Sequence, residues 1–326
     1  MKFDICLPNS VEGLLAPSSF AGVEEMGAYA REAENLGYHA IWGFDFINPA
    51  CRKEIPRTEA PQWYELMTTL AYVSALTQRI RLVAGVVVLP NRDPIVLAKQ
   101  VATVDQFSRG RLDLGIGLGG RKEFETLQPR ERRAHRGRML DEKLEALQML
   151  LHHENEPVSY QGRYVEFDNV ILYPKPMQNP LPMFTAAESP APLRRAAKWG
   201  LGPIFRDKDL EERRAQFLPL LEEHGRRLED IDVMVWADIS IKSTTKEAVD
   251  AYINSRMGQF RQQDAARLLN DHWIGTVEEV AEKIIRIKRQ GIGHVVAMHV
   301  GTDTYTDYLE QTQIFAEEVM PLVESA

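Results

Sequence analysis

Apolar and polar positions along the chain follow two alternating patterns. Short apolar runs, rich in β-branched residues, begin near residues 3, 39, 80, 112, 183, 203, 233 and 294. Between them, apolar residues recur every three or four positions, the spacing of an amphipathic helix. Eight strands, each followed by helical sequence, predict an α/β fold, a closed (β/α)8 TIM barrel, since such a barrel leaves no exposed strand edge. The competing doubly wound open sheet would need fewer strands and a clear switch point.

Residues 79–120 show this unit most clearly. The run from Ile80 to Leu89 is apolar without helical spacing, as in a strand that is buried on both faces. A proline-containing turn ends this strand, and Pro94 suits the first position of the following helix. The next strand is predicted from Leu112 to Ile116, and glycines crowd its C-terminal end, where barrels place their ligands.

One segment departs from this alternation. Residues 157–182 look irregular and hairpin-like, which predicts an insertion after the fourth β/α unit that covers one face of the barrel. We therefore expect residues 1–326 to form a single TIM-barrel domain with this insertion.

Composition and charge narrow the possible functions. The 326 residues have a formal net charge of −8, which argues against a nucleic-acid binder because such proteins need a basic face. No apolar stretch reaches the roughly 18 residues of a membrane span, and the N-terminus shows no signal-peptide pattern. Cys6 and Cys51 lack metal-ligand spacing, so we expect no metal site and no disulfide framework. These features predict a soluble cytoplasmic protein.

Residues 79–119 also carry a family resemblance. They contain RIRLVAGVVVLP, then PIVLAKQVATVDQFSRGR, then LGIGLG. This order of motifs resembles the luciferase-like flavin monooxygenases, a family that includes bacterial luciferase and oxidoreductases that use a deazaflavin coenzyme. Weaker matches extend from Asp4 to Gly301. The resemblance implies a TIM barrel that holds its cofactor at the C-terminal ends of the strands.

Gly115, Gly117 and Gly120 satisfy the spacing G-x-G-x-x-G of dinucleotide-binding folds. That fingerprint requires a helix that starts at once, and the charged, proline-broken segment after Gly120 predicts no capped helix there. We therefore exclude a Rossmann domain. The glycines fit a tight turn at the barrel rim, or a close approach of the backbone to a flat ring, and the two are compatible. The resemblance favours the close approach of the backbone to a cofactor ring. It also implies cofactor contacts from Gly117, Leu118, Gly119 and Arg121.

Residues 186–197, AAESPAPLRRAA, form the best candidate for an anion site. Ser189 suits the N-cap of a helix and Pro190 its first position, so free N–H groups would face the end of a strand. The same residues also fit an ordinary capped helix that binds no anion. Bacterial luciferase has the same Ala-Glu-Ser run where it holds the FMN phosphate, which implies phosphate binding by Ser189 and the Glu188 backbone. Pro192 replaces a threonine of that pattern, so one hydroxyl contact is missing.

The resemblance also concerns the second and third strands. Related proteins often have a non-proline cis peptide behind the flavin ring, and the aligned bond is Gly85–Val86. They commonly end the second strand in Asp-His or Glu-His, whereas this chain has Asp45 and then Phe46, which we expect to contact the cofactor. Phe46 cannot transfer a proton. Asp45, Arg206 and His299 remain as catalytic candidates, although a lone histidine is more often packed and hydrogen-bonded.

These features lead to one main hypothesis and two alternatives. The main hypothesis is an FMN-dependent monooxygenase that uses O₂ and reduced FMN, supplied by a separate flavin reductase, on a small organic substrate. The alternatives are a hydride-transfer oxidoreductase that depends on the deazaflavin coenzyme F420, and a flavin-binding protein without catalysis. The resemblance also implies a homodimer, and residues 63–76 are more apolar than burial on one side requires. The expected walls of the substrate site are residues 47–62, 157–182 and 261–274, with aromatic side chains at Trp63, Tyr160, Tyr164 and Trp273.

Overall fold

The computed structural model describes residues 1–8, 12–48, 53, 61–153 and 155–326. At its centre, eight parallel strands form a closed ring, which confirms the predicted TIM barrel. The barrel strands are β1 (Lys2–Cys6), β2 (Ala40–Gly43), β3 (Arg81–Val88), β4 (Leu112–Gly117), β7 (Met183–Ala186), β8 (Gly202–Arg206), β9 (Met234–Ile241) and β11 (His294–Val300). Pairing of β11 with β1 and of β8 with β9 closes the ring.

Three further strands lie outside the ring. β5 (Val158–Gln161) and β6 (Glu166–Val170) form the antiparallel hairpin that the sequence predicts within residues 157–182. Whether this hairpin is an insertion into the family's barrel stays a prediction. β10 (Trp273–Gly275) pairs in parallel with the end of β9, and the sequence pattern does not predict it.

Helices surround the barrel. They are α1 (Val23–Asn35), α2 (Leu66–Leu76), α3 (Pro94–Ser108), α4 (Arg121–Leu127), α5 (Arg136–His152), α6 (Pro190–Trp199), α7 (Leu210–Glu223), α8 (Thr245–Asn254), α9 (Arg256–Arg261), α10 (Ala265–Asp271), α11 (Val277–Arg289), α12 (Tyr305–Ile314) and α13 (Met320–Ser325). None of the helices in the described ranges is long and apolar enough to cross a lipid bilayer.

Helical spacing predicts one helix over 246–260, and the sequence predicts a substrate wall over 261–274; the structure corrects both predictions. Ser255 divides the helix into α8 and α9 because its side chain accepts the Gly258 N–H and so caps a new helix. The following residues form α10 and β10 instead of an open loop. Trp273 is fully buried and its Nε1 donates to Asp207, so it cannot line a substrate site.

Alternation along the strands decides which side chains fill the barrel. Apolar residues at every second position point outward to the helices, and the others meet inside the ring. The inner cluster comprises Cys6, Ala40, Trp42, Val83, Phe184, Ile204, Met234, Val296 and Met298. Trp42, which is 1% exposed, is its largest member, so the barrel is a packed core and ligands are confined to its two ends.

The N-terminal end of the barrel contains a buried charged network. Asp4 accepts hydrogen bonds from Trp42 Nε1 at 2.8 Å, and it pairs with His39 Nδ1 at 3.0 Å and His294 Nε2 at 2.8 Å. His294 contacts a second carboxylate, that of Asp232, through Nδ1 at 3.1 Å. Burial alone would lower the pKa of His294, but the charge of Asp4 and the hydrogen bonds to both carboxylates raise it to about 9. The network therefore contains a charged imidazolium between two carboxylates.

Candidate functional site

The candidate site lies at the C-terminal end of the barrel. Because all eight strands are parallel, the segments that follow them lie at this one end. The predicted site residues therefore lie at or after the C-terminal ends of β2, β3, β4, β7, β8 and β11, and the loops after β4 and β7 are adjacent because those strands are paired. Asn9, which the same rule nominates, lies outside the described residues.

The floor of the site is built around the bond Gly85–Val86. This bond is cis, as the resemblance implies, and the pairing of β3 with β4 shifts register between Ala84 and Val87. A Cβ atom on Gly85 would lie 2.1 Å from Cε3 of Trp42. Only glycine therefore fits between the barrel core and the floor of the site.

The glycines at and just after the end of β4 leave room for side chains of β3. A Cβ atom on Gly117 would lie 2.3 Å from Val86 Cγ2, and one on Gly119 would lie 2.2 Å from Val88 Cγ1. Side chains of β3 thus occupy the space on the Cβ side of these glycines, and the contacts of the glycines with a cofactor stay a prediction. The sequence predicts no capped helix after Gly120; a helix, α4, does begin directly after it, but no side chain caps this helix.

Ser189 occupies the predicted position at the start of α6. It is the N-cap residue, Pro190 follows at the first helical position, and the Ser189 side chain makes no capping hydrogen bond. The hydroxyl and the first N–H groups of α6 therefore remain available to an anion at the rim. The neighbouring Glu188 carboxylate pairs with Arg206 at 2.6 Å, which leaves only the Glu188 backbone for a phosphate.

Arg206 is engaged by two partners. Besides its pair with Glu188, its guanidinium lies 5.4 Å from the ring centroid of Trp236, whose ring also attracts Arg261 at 6.0 Å. This arrangement positions Arg206 as a wall of the site, where it can hold a polar substrate group. A role in proton transfer does not suit a guanidinium, because it stays protonated.

Asp238 is a functional candidate that the sequence reasoning missed. It is fully buried in the middle of β9, and its Oδ2 contacts the Tyr252 hydroxyl at 2.8 Å and Arg261 Nη2 at 3.2 Å. Burial raises its pKa, but the charges of Arg261 and His272 hold the pKa below its ordinary value. Its Oδ1 has no hydrogen-bond partner among the described residues. The sequence did contain a signal for it. Side chains at every second position of a strand face the same side, so Met234, Trp236 and Asp238 all face the inside of the barrel.

His299 has the environment of a proton-transfer group. It is partly buried, its ring lies 5.3 Å from that of Phe44, and it makes no hydrogen bond within the described residues. Burial lowers its pKa to about 4, so the imidazole is neutral at pH 7 and one nitrogen carries a free lone pair.

Asp45 and Phe46 have supporting positions. The Asp45 carboxylate accepts the Val88 N–H at 2.9 Å and binds Arg92 through both oxygens, which fits a structural role better than the predicted catalytic one. Phe46 packs edge-on against Trp63, with ring centroids 4.6 Å apart. The pair forms an apolar edge of the site.

The charged network at the opposite end of the barrel also resembles a metal site in outline. Ligand atoms of Asp4, His39 and His294 lie within 4.8 Å of one another. A ligating histidine must be neutral, and the pKa of His294 is raised to about 9, so a metal ion would have to displace a proton from it. Within the described residues the cluster is an ion network at this end of the barrel.

Comparisons with known proteins agree with this geometry. The model of the luciferase-like monooxygenase family matches residues 1–294. The chain is 24% identical to a 5,10-methylenetetrahydromethanopterin reductase of Archaeoglobus fulgidus, over 91% of this chain and 95% of the relative. It is 24% identical to an F420-dependent glucose-6-phosphate dehydrogenase of Amycolatopsis mediterranei, over 95% and 97%. It is 31% identical to the oxygenase component of a flavin-dependent trigonelline monooxygenase of Acinetobacter baylyi, over 51% and 44%.

Solved structures share the fold over the whole chain. The monooxygenase RslO1 of Streptomyces bottropensis has a TM-score of 0.79 at 22% identity, and covers 100% of both chains. An F420-dependent secondary alcohol dehydrogenase has a TM-score of 0.79 at 18% identity, and covers 99% of both chains.

Proposed function

The chain belongs to the luciferase-like monooxygenase family, and from this premise we propose that it is an oxidoreductase that uses the deazaflavin coenzyme F420 for hydride transfer. One observation carries the choice of cofactor. The F420-dependent dehydrogenase relative aligns over 95% of this chain, whereas the flavin-dependent monooxygenase relative aligns over 51%. This choice revises the sequence-based preference for FMN.

The residues at the mouth of the barrel fit such a cofactor. Val86 and Trp42 supply an apolar floor for a flat ring, and the uncapped Ser189 with the N–H groups of α6 suits its phosphate. The unpartnered, buried Asp238 Oδ1 marks a place where a polar ligand group belongs, since an unsatisfied buried carboxylate oxygen is costly. When bound, a deazaflavin ring exchanges a hydride with a substrate carbon.

His299 would handle the accompanying proton. In the oxidation of an alcohol, the free nitrogen of neutral His299 would accept the hydroxyl proton, while the bound deazaflavin would supply the hydride acceptor. Phe44 fixes the ring of His299 from one side, and Phe46 with Trp63 excludes water from the apolar edge. Arg206 would orient a polar group of the substrate at the wall.

An FMN-dependent monooxygenase is the second candidate. The observation that favours it is the Ala-Glu-Ser run at the start of α6, which suits a cofactor that ends in a single phosphate. This function would require a separate flavin reductase as partner.

A second copy of this chain is the proposed protein partner. Tyr72 on α2 and Val96 and Phe107 on α3 expose large apolar side chains on neighbouring helices, at 38%, 56% and 64%. A homodimer would cover them.

Cofactor titration tests the proposal directly. We expect reduced and oxidised F420 to bind with micromolar affinity or better, followed by changes in the 420 nm absorbance when a panel of alcohols is added. FMN should bind at least tenfold more weakly. Selective binding of FMN, with oxygen uptake in the presence of reduced FMN, would overturn the proposal in favour of the second candidate.

A further inference from the structure

A concentration of positive charge lies beside the candidate cofactor site of this acidic protein. Residues 118–138 contain seven Lys or Arg and three Glu, so the segment is positive although the whole chain has a net charge of −8. Part of this segment surrounds a cleft of about 370 Å³. We call it the basic cleft, and it is lined by Leu118, Arg121, Phe124, Arg132, Arg133, Ala134, His135, Arg136 and Gly137.

Few carboxylates neutralise the basic cleft. Glu125 pairs with Arg121 at 2.6 Å on the surface, and the buried Glu123 faces inward, where it accepts backbone N–H groups of residues 47 and 48. Within the described ranges, Arg132 and Arg133 form neither an ion pair nor a hydrogen bond. Their guanidinium groups are therefore available to an anion.

Arg136 gives the basic cleft a fixed inner wall. Its Nη1 donates to the Gly119 carbonyl at 2.8 Å, and its guanidinium lies 6.0 Å from the centroid of the buried Phe124 ring. Burial, and then the positive charge of Arg121, lower the pKa of Arg136. The cleft thus has a positive electrostatic potential, and an anionic ligand would neutralise part of this charge.

The position of the basic cleft relates it to the cofactor. Leu118 directly follows β4, and β4 pairs with β7, which leads to Ser189. The cleft therefore begins at the rim of the barrel, at the strand end next to the one that leads to the proposed phosphate position. A chain that continues beyond that phosphate would enter it.

We propose that the basic cleft binds the carboxylate-bearing chain that follows the phosphate of the deazaflavin cofactor. This inference rests on the proposed function. Coenzyme F420 continues past its phosphate into a lactyl-oligoglutamate chain with several carboxylates, whereas FMN ends at the phosphate. Arginine binds carboxylates through paired hydrogen bonds, so Arg132 and Arg133 suit this chain chemically. The cleft then acts as a selector between the two cofactors.

The test compares three ring compounds by fluorescence titration at 50 mM and 300 mM NaCl. They are F420 with several glutamates, its riboflavin-like fragment without phosphate and glutamates, and FMN. The test variant is Arg132→Gln with Arg133→Gln. The control variant is Arg31→Gln with Arg289→Gln, which removes the same charge at exposed positions of α1 and α11. Circular dichroism verifies that both variants are folded.

We expect the test variant to bind F420 about tenfold more weakly than the unaltered protein at 50 mM NaCl, with a smaller difference at 300 mM because salt screens exposed charges. Affinity for the fragment and for FMN should stay within twofold, and the control variant should match the unaltered protein throughout. Unchanged F420 affinity in the test variant, or an equal loss for all three compounds, overturns the role of the cleft alone. Failure of the unaltered protein to bind F420 overturns both this inference and the proposed function.

Discussion

Replacement of His294 should remove a pH dependence of stability that the buried network creates. His294 is 1% exposed and lies between Asp4 and Asp232, and its pKa is raised from 6.5 to about 9. Above pH 6.5 the unfolded chain loses the proton that the folded protein retains. The folded state then binds more protons than the unfolded state, so stability falls as pH rises.

The size of the effect follows from the shift in pKa. At about 1.4 kcal/mol for each unit of pKa, the contribution of His294 to the free energy of unfolding should fall by about 2 kcal/mol between pH 6.5 and 8.5. For a chain of this length the unfolding entropy is about 0.7 kcal/mol per kelvin, so the melting temperature should fall by about 3 °C. Burial also raises the pKa of the Cys6 thiol. This thiol ionises in the unfolded chain at higher pH but not in the folded protein, which lowers the stability further, so the scan should end at pH 8.5.

The assay is thermal unfolding, followed by circular dichroism at half-unit steps from pH 6.0 to 8.5. We expect His294→Gln to be less stable at every pH and to lose the fall in stability above pH 7, with a small rise between pH 6.0 and 7 because the pKa of His299 is lowered to about 4 in the folded protein. Asp232→Asn removes one of the two carboxylate partners and should reduce the slope without abolishing it. A His294→Gln protein with the slope of the unaltered protein would refute the assignment of the proton to His294.

Three further predictions concern the site and its supports. His299→Gln should lower turnover by about 10²–10⁴-fold and leave F420 affinity within twofold, and a matching loss of affinity in the titration would contradict a role in proton transfer. Arg92→Gln leaves the Asp45 carboxylate buried without its partner and should cost about 3–5 kcal/mol in unfolding free energy, seen as a lower melting temperature. Gly117→Ala should cost about 1–3 kcal/mol because its Cβ meets Val86 at 2.3 Å, and addition of Val86→Ala should restore much of that loss. Gly120→Ala is the matched control, since its Cβ would meet nothing within 4 Å, and equal melting temperatures of the two alanine variants would show that the contact with Val86 is unimportant.

The strands and the position of the site could be predicted because they depend on local pattern. Each buried parallel strand is a continuous apolar run, and a parallel barrel brings all strand ends to one face regardless of loop details. Ser189 and Pro190 marked the start of α6 by their own conformational preferences.

The errors concern features that depend on contacts distant in sequence. Trp273 was predicted to line a wall because its segment follows a strand and mixes charged and aromatic residues, but it is buried and donates to Asp207, 66 residues away. The spacing of Gly115 and Gly117 was visible, whereas the side chain that fills their space, that of Val86, comes from the neighbouring strand. The structural role of Asp45 likewise follows from its ion pair with Arg92, and no pattern in the sequence indicates that these two residues meet.

The strand β11 carries one histidine at each end, and the barrel holds the two in opposite states. His299 lies five positions after His294, a rise of about 16 Å along a strand. Their pKa values of about 9 and about 4 lie on either side of neutrality, so neither ring changes its charge between about pH 5 and 8. The charge that these two rings contribute to β11 is consequently constant across that range of acidity.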